Sequence, residues 1–142
     1  MKTSARNCFA GSVSRVTQGA VNDEVELTLP GGQGIVAIIT RASSEALGLK
    51  EGAKAFALVK ASSVIILTDT SGARFSARNL LAGTVAQVRE GAVNAEVDIE
   101  LPGGDTVVAI ITMESCRRLA LRAGQAATAM IKASSVIIGV PA

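Results

Sequence analysis

Histidine, tryptophan and tyrosine are absent from the 142-residue sequence, phenylalanine occurs three times and cysteine twice. Without imidazole, most catalytic triads and the commonest zinc sites are excluded. An aromatic content of 2% removes the stacking platforms on which single-stranded nucleic acid is usually held. Apolar stretches such as residues 35–39 and 64–67 fall far short of the roughly 18–20 residues with which a helix crosses a bilayer. Lys2 and Arg6 are followed by no apolar segment long enough for a signal peptide. These absences predict a soluble, cytoplasmic protein with no membrane partner. A net charge of +2 is too small to demand a polyanionic partner.

What is present is a chain that is 49% hydrophobic, within the range of folded globular proteins, and duplicated. Ser4-Ala5-Arg6-Asn7 recurs as Ser76-Ala77-Arg78-Asn79, an offset of 72 residues. The offset holds without a gap for Gly19-Ala20-Val21-Asn22 and Gly91-Ala92-Val93-Asn94, and for Leu29-Pro30-Gly31-Gly32 and Leu101-Pro102-Gly103-Gly104. It holds again from Lys60-Ala61-Ser62-Ser63 to Lys132-Ala133-Ser134-Ser135. Two modules, residues 1–70 and 71–142, follow, with their join near residues 69–74. Cys8 and Cys116 have Leu80 and Ser44 as counterparts, so a duplicated disulfide or directly ligated metal cation is not expected.

Within each module the pattern is mainly β. Residues 21–29 alternate apolar Val21, Val25, Leu27 and Leu29 with polar Asn22, Glu24, Glu26 and Thr28, the period of a strand with one wet face. Pro30-Gly31-Gly32 turns the chain into residues 35–39, which are apolar enough for a central strand. Thr40 or Ser43 caps a short helix reaching about Leu49, and strands resume over residues 53–60 and 64–67. With a first strand over residues 8–17, each module has five strands and one short helix, and the fold class is a tandem of five-stranded OB-like barrels. Modules below roughly 70 residues seldom supply more than about 3–5 kcal/mol from one core. Together with a mean hydropathy of +0.42, this points to a homo-oligomer.

The repeated polar segments carry the chemistry. Ser4, Arg6 and Asn7 with Lys60 and Ser62, and Ser76, Arg78 and Asn79 with Lys132 and Ser134, set fixed cations among neutral donors, a combination suited to a small dianion. Thr40 and Ser43, matched by Thr112 and Ser115, stand where a helix begins and its backbone amides are unpaired. Arg118 follows Ser115 by three positions, and its counterpart is Ala46. Gly19, Ala20, Val21 and Asn22, with Gly91, Ala92, Val93 and Asn94, read either as turns entering a strand or as a second class of ligand site. Glu24, Glu26, Glu96 and Asp98 read as solvent-facing charge, with no pair placed for acid–base work.

These segments, in this order and twice over, resemble the molbindin, or Mop, family. The likeness lies in Ser-Ala-Arg-Asn at the head of each module, Ile-Thr-x-x-Ser in its middle and Lys-Ala-Ser-Ser-Val-Ile near its end. The resemblance implies OB-like barrels, a trimer of two-repeat chains, and molybdate or tungstate held at contacts between modules without any cofactor. It implies Ser4, Arg6, Asn7, Thr40, Ser43, Lys60, Ala61 and Ser62 as ligands of the first repeat. Ser76, Arg78, Asn79, Thr112, Ser115, Lys132, Ala133 and Ser134 follow for the second. Ala61 and Ala133 act there through backbone groups only. Some relatives carry a basic residue three positions after Ile-Thr-x-x-Ser; Arg118 fits that pattern and Ala46 departs from it.

The leading expectation is therefore a non-catalytic oxyanion store and buffer. An OB-fold nucleic-acid-binding protein is the alternative, favoured by a pI of about 8.8 and opposed by the scarcity of aromatics. An enzyme acting on sulfate or phosphate esters lacks any nameable nucleophile or base.

Overall fold

The computed structural model describes all 142 residues. The first repeat forms β1 (Asn7–Gln18), β2 (Asn22–Thr28), β3 (Gly34–Thr40), α1 (Arg41–Ala46), β4 (Lys54–Val59) and β5 (Ile65–Leu67), with a 3-10 turn at Ala61–Ser63. The second forms β6 (Asn79–Glu90), β7 (Asn94–Glu100), β8 (Thr106–Thr112), α2 (Met113–Arg118), β9 (Ala126–Ile131) and β10 (Ile137–Gly139), with a 3-10 turn at Ala133–Ser135. Five strands and one short helix per repeat match the reading of the sequence.

The strands assort into two five-stranded antiparallel sheets, in the orders β10-β4-β1-β2-β3 and β5-β9-β6-β7-β8. The last strand of each repeat has crossed into the sheet of the other: β10 pairs with β4 and β5 with β9. Each exchanged strand also packs against the far edge strand, β10 on β3 and β5 on β8, which closes the sheet into a barrel. Neither barrel is made by one repeat alone. One cluster of 28 buried apolar residues runs through both, from Phe9 to Ile138.

β3 therefore lies at the edge of its hydrogen-bonded order instead of at its centre. The outward amide and carbonyl of Val36 on this strand are satisfied by a side chain of the opposite repeat. Asn79 donates from Nδ2 to the Val36 carbonyl and accepts the Val36 amide on Oδ1, both at 2.8 Å. Asn7 does the same for Val108 on β8, at 2.8 and 2.7 Å. A primary amide presents a donor and an acceptor side by side, as a peptide unit does, so one asparagine replaces one residue of a missing neighbour strand. Both side chains are buried.

The β2–β3 and β7–β8 turns meet across the same junction, where a Cβ built on Gly31 would stand 2.5 Å from the Gly103 Cα. Only glycine permits that approach. The alternation in β2 departs from the expected one at its start. Val21 sits in the turn before the strand and is 73% exposed, while Asp23 is buried and accepts the Gly19 amide at 3.3 Å. The helices are shorter than expected. Thr40 and Thr112 are their caps, accepting from the amides of Ser43 and Ser115, and each ends about one turn before the predicted limit. Gly48 closes the first in the left-handed region at φ 63°, and its counterpart Ala120 adopts φ 49°.

Two outcomes follow. Ala120→Gly relieves a left-handed alanine and should stabilise the fold by about 1 kcal/mol, seen as a higher denaturation midpoint in urea. Asn7→Ala leaves a buried amide and carbonyl of Val108 unpaired and should cost about 2–4 kcal/mol in the same assay. A cost near zero would remove its role as an edge clamp.

Candidate functional site

Antiparallel pairing of β1 with β4 sets Asn7 opposite Val59. The residues before β1 and those after β4 are thereby brought to one place. Ser4, Ala5 and Arg6 meet Lys60, Ala61 and Ser62 around a cavity of about 370 Å³, walled also by Ile110 and Ile137 of the second repeat. The same pairing of β6 with β9 gathers Ser76, Ala77, Arg78, Lys132, Ala133 and Ser134 around a cavity of about 320 Å³, with Ile38 of the first repeat in its wall. No carboxylate lines either cavity. Lys60 and Lys132 are exposed and have no ion-pair partner.

Thr40 and Ser43 do not join Lys60 of their own repeat. They line a third cavity of about 500 Å³ with Asn22, Ala46 and Ser134 of the other repeat. Ile38 lies in the walls of both this cavity and the one holding Lys132. The cause is the strand exchange: the 3-10 turn of the second repeat packs on β3, and that of the first packs on β8. Thr112 ends β8, the strand on which the turn carrying Ser62 packs.

The remaining predicted residues are placed as follows. The Asn7 and Asn79 side chains are committed to Val108 and Val36, and we assign them to the fold. The hydroxyls of Ser43 and Ser115 accept from Thr40 and Thr112 at 2.8 and 3.0 Å. At the start of α1, the Arg41 amide is bonded to the Val21 carbonyl and the Ser43 amide to Thr40 Oγ1, so the expected set of free amides is reduced. Gly19, Ala20 and Val21, and likewise Gly91, Ala92 and Val93, form the turns between long strands; the Val93 carbonyl accepts from Met113. Asn22 reaches the third cavity, and Asn94 opens β7 opposite Thr112. Arg118 is exposed in the last turn of α2 and lines none of the three cavities.

Glu24 and Glu96 are not the solvent-facing charges they were expected to be. Glu96 pairs with Arg6 and Glu24 with Arg78, each ion pair joining the two repeats. Arg89 binds Glu96 and makes a two-bonded fork on Asp98, at 3.0 and 2.8 Å. The Arg6 guanidinium, followed by Arg89, holds the Glu96 carboxyl below the usual glutamate value of 4.5. The Glu24 carboxylate raises the affinity of Arg78 for its proton. The recurrence of glutamate at positions 24 and 96, one repeat apart, was the available signal for these pairs.

A family model described as the TOBE domain matches residues 3–66 and again residues 76–138, and the chain belongs to this family. It is 48% identical over 140 residues to the molybdenum transport protein ModE of Azotobacter vinelandii, and 44% identical over 141 residues to the molybdenum-pterin-binding protein MopA of Rhodobacter capsulatus. In each case 99% of the chain aligns, to 52% and 53% of the relative, so the chain spans about half the length of these curated relatives. Among solved structures, the cytoplasmic molybdate-binding protein ModG with molybdate bound superposes with a TM-score of 0.97 at 49% identity. That match covers 99% of this chain and 100% of that one. The two-repeat, OB-like architecture is thus shared with a protein of the same extent.

A carboxyl whose native pKa is depressed stabilises the fold above its unfolded value, and that contribution is lost as pH falls through the native value. Glu96 therefore adds acid sensitivity below about pH 4.5. Urea denaturation between about pH 3 and 6 should show a smaller acid loss for Glu96→Gln than for the wild type; an identical pH slope would mean that the pair with Arg6 does not persist in solution.

Proposed function

We propose that this chain binds molybdate, with tungstate as a ligand of the same geometry, and acts as a non-catalytic store and buffer in the cytoplasm. The observation that carries this reading is the pair of carboxylate-free cavities, each combining an arginine, an unpaired lysine, serine hydroxyls and a 3-10 turn. A dianion leaves water only where charge and hydrogen bonds replace its hydration. A lining without carboxylates also offers the proton of hydrogen phosphate no charged acceptor. Sulfate is discriminated by size. The ModG, ModE and MopA relatives support the choice of molybdate.

Within this reading the duplication units are residues 1–70 and 71–142, and the anion is held by Ser4, Arg6, Lys60, Ala61 and Ser62 and by their counterparts Ser76, Arg78, Lys132, Ala133 and Ser134. Thr40 and Ser43 contribute to the second of these sets, and Thr112 and Ser115 to the first, with Arg118 beside them. Exposed Val21, Ile65, Phe75, Leu80, Val93 and Ile137 support burial of further apolar surface in a homo-oligomer, for which the trimer is the proposed form. Of the three phenylalanines only Phe75 is exposed, which gives the nucleic-acid reading no row of rings to stack on.

Lys60→Ala and Lys132→Ala should each remove part of the molybdate capacity, and the double variant most of it. Loss of a charge-assisted hydrogen bond from an exposed lysine corresponds to about 1.5–3 kcal/mol, or one to two decades of affinity. Equilibrium dialysis at constant ionic strength reads affinity and stoichiometry, and circular dichroism verifies folding. Unchanged binding by a folded double variant would reduce the repeated Lys-Ala-Ser-Ser segment to a turn.

A further inference from the structure

Each site arginine is held by a carboxylate of the opposite repeat, and the two carboxylates are unequally engaged. Glu24 receives Arg78 alone, whereas Glu96 receives Arg6 and Arg89 together. The difference arises at one repeat position. Arg89 stands opposite Glu96 across β6 and β7, and the residue opposite Glu24 across β1 and β2 is the uncharged Thr17. The single cation on β1, Arg15, stands opposite Glu26 and forms no ion pair. On the second repeat Asp98 fills the corresponding place and anchors the far side of Arg89 at 2.8 and 3.0 Å.

We propose that Glu24 and Glu96 are internal counter-ions that compete with a bound oxyanion for Arg78 and Arg6, and that Arg89, held on Asp98 and sharing Glu96 with Arg6, makes the two sites unequal. The inference rests on the oxyanion reading above. A dianion arriving beside Arg78 meets Glu24, whose one ion-pair partner is that same arginine, while one arriving beside Arg6 meets a carboxylate shared with a second guanidinium. One unit of like charge near a dianion at surface dielectric weakens binding by about tenfold, and salt reduces the effect. The site with Arg6 and Lys60 is then the tighter class, and the site with Arg78 and Lys132 the weaker. Arg89 is a positioning residue: it acts through Glu96 and lines neither of the two arginine–lysine cavities.

Calorimetric titration of the full chain with molybdate at low salt tests this, with circular dichroism as the check on folding. The wild type should resolve two classes about tenfold apart, the tighter lost in Lys60→Ala and the weaker in Lys132→Ala. Glu24→Gln, which keeps an acceptor for Arg78 and removes the charge, should tighten the weaker class until the two merge. Arg89→Thr, which installs the first-repeat residue, should loosen the tighter class to the same extent, and Arg89→Lys should restore it. Raised salt should narrow the wild-type gap. Unaltered or weakened binding in Glu24→Gln would show that Glu24 orients Arg78 without opposing the ligand, and would overturn the proposal even if Arg89→Thr failed to fold. Uptake in a single class, indifferent to both substitutions, removes the counter-ion mechanism and leaves molybdate binding standing. No uptake by the wild type overturns the function and the mechanism together.

Discussion

Ile66 and Ile138 are each buried on strands only three residues long, and each of those strands completes the sheet of the opposite repeat. Such short strands contribute few ladder bonds, so their hold comes from the apolar side chain they insert and from closing a barrel that would otherwise expose two edges. The rest of the architecture depends on this crossing. It merges two small cores into one and brings β3 within reach of Asn79 and β8 within reach of Asn7. It also seats each 3-10 turn on the partner repeat.

The candidate sites inherit that mixed parentage. A cavity whose cations come from one repeat is walled by isoleucine of the other, and the arginine in it leans on a glutamate of the other. Apolar walls lower the local dielectric and strengthen every hydrogen bond to an anion. The interrepeat glutamates restrain the arginines at the cost of placing negative charge near where a dianion would lie. Affinity in such a site is a balance between ordering the cation and screening it.

Much of this was legible in the sequence because it is written in local patterns. Alternation in Glu24, Val25, Glu26 and Leu27, the Pro30-Gly31-Gly32 turn and the Thr40 cap each declare an element within a few residues. The ungapped repeat reveals the duplication, and the grouping of Ser4 and Arg6 with Lys60 and Ser62 emerges from it. What escaped was pairing between distant residues. Residues 65–67 read correctly as a strand, yet nothing in Ile65-Ile66-Leu67 states which of two near-identical sheets it enters, since the competing edges β4 and β9 carry the same apolar pattern. For the same reason nothing in Thr40 or Ser43 states that they lie beside Ser134 of the other repeat. The clamp that Asn7 makes on Val108 was not legible, because a buried asparagine that mimics a strand and one that binds an anion have the same neighbours in sequence.

Crossed strands in a duplicated chain also bear on how the molecule assembles during folding. A single repeat with this topology would be a half-barrel with its own last strand reaching outward, able to complete itself only by trading strands with a second copy. Residues 68–78, between β5 and β6, tether the two traders covalently. Trading then becomes an intramolecular event, governed by an effective concentration that a short tether sets in about the millimolar range, far above that of a dilute protein. The interleaved unit is thereby insulated from dilution in a way that a pair of separate one-repeat chains could not be, and it can persist when the protein is scarce.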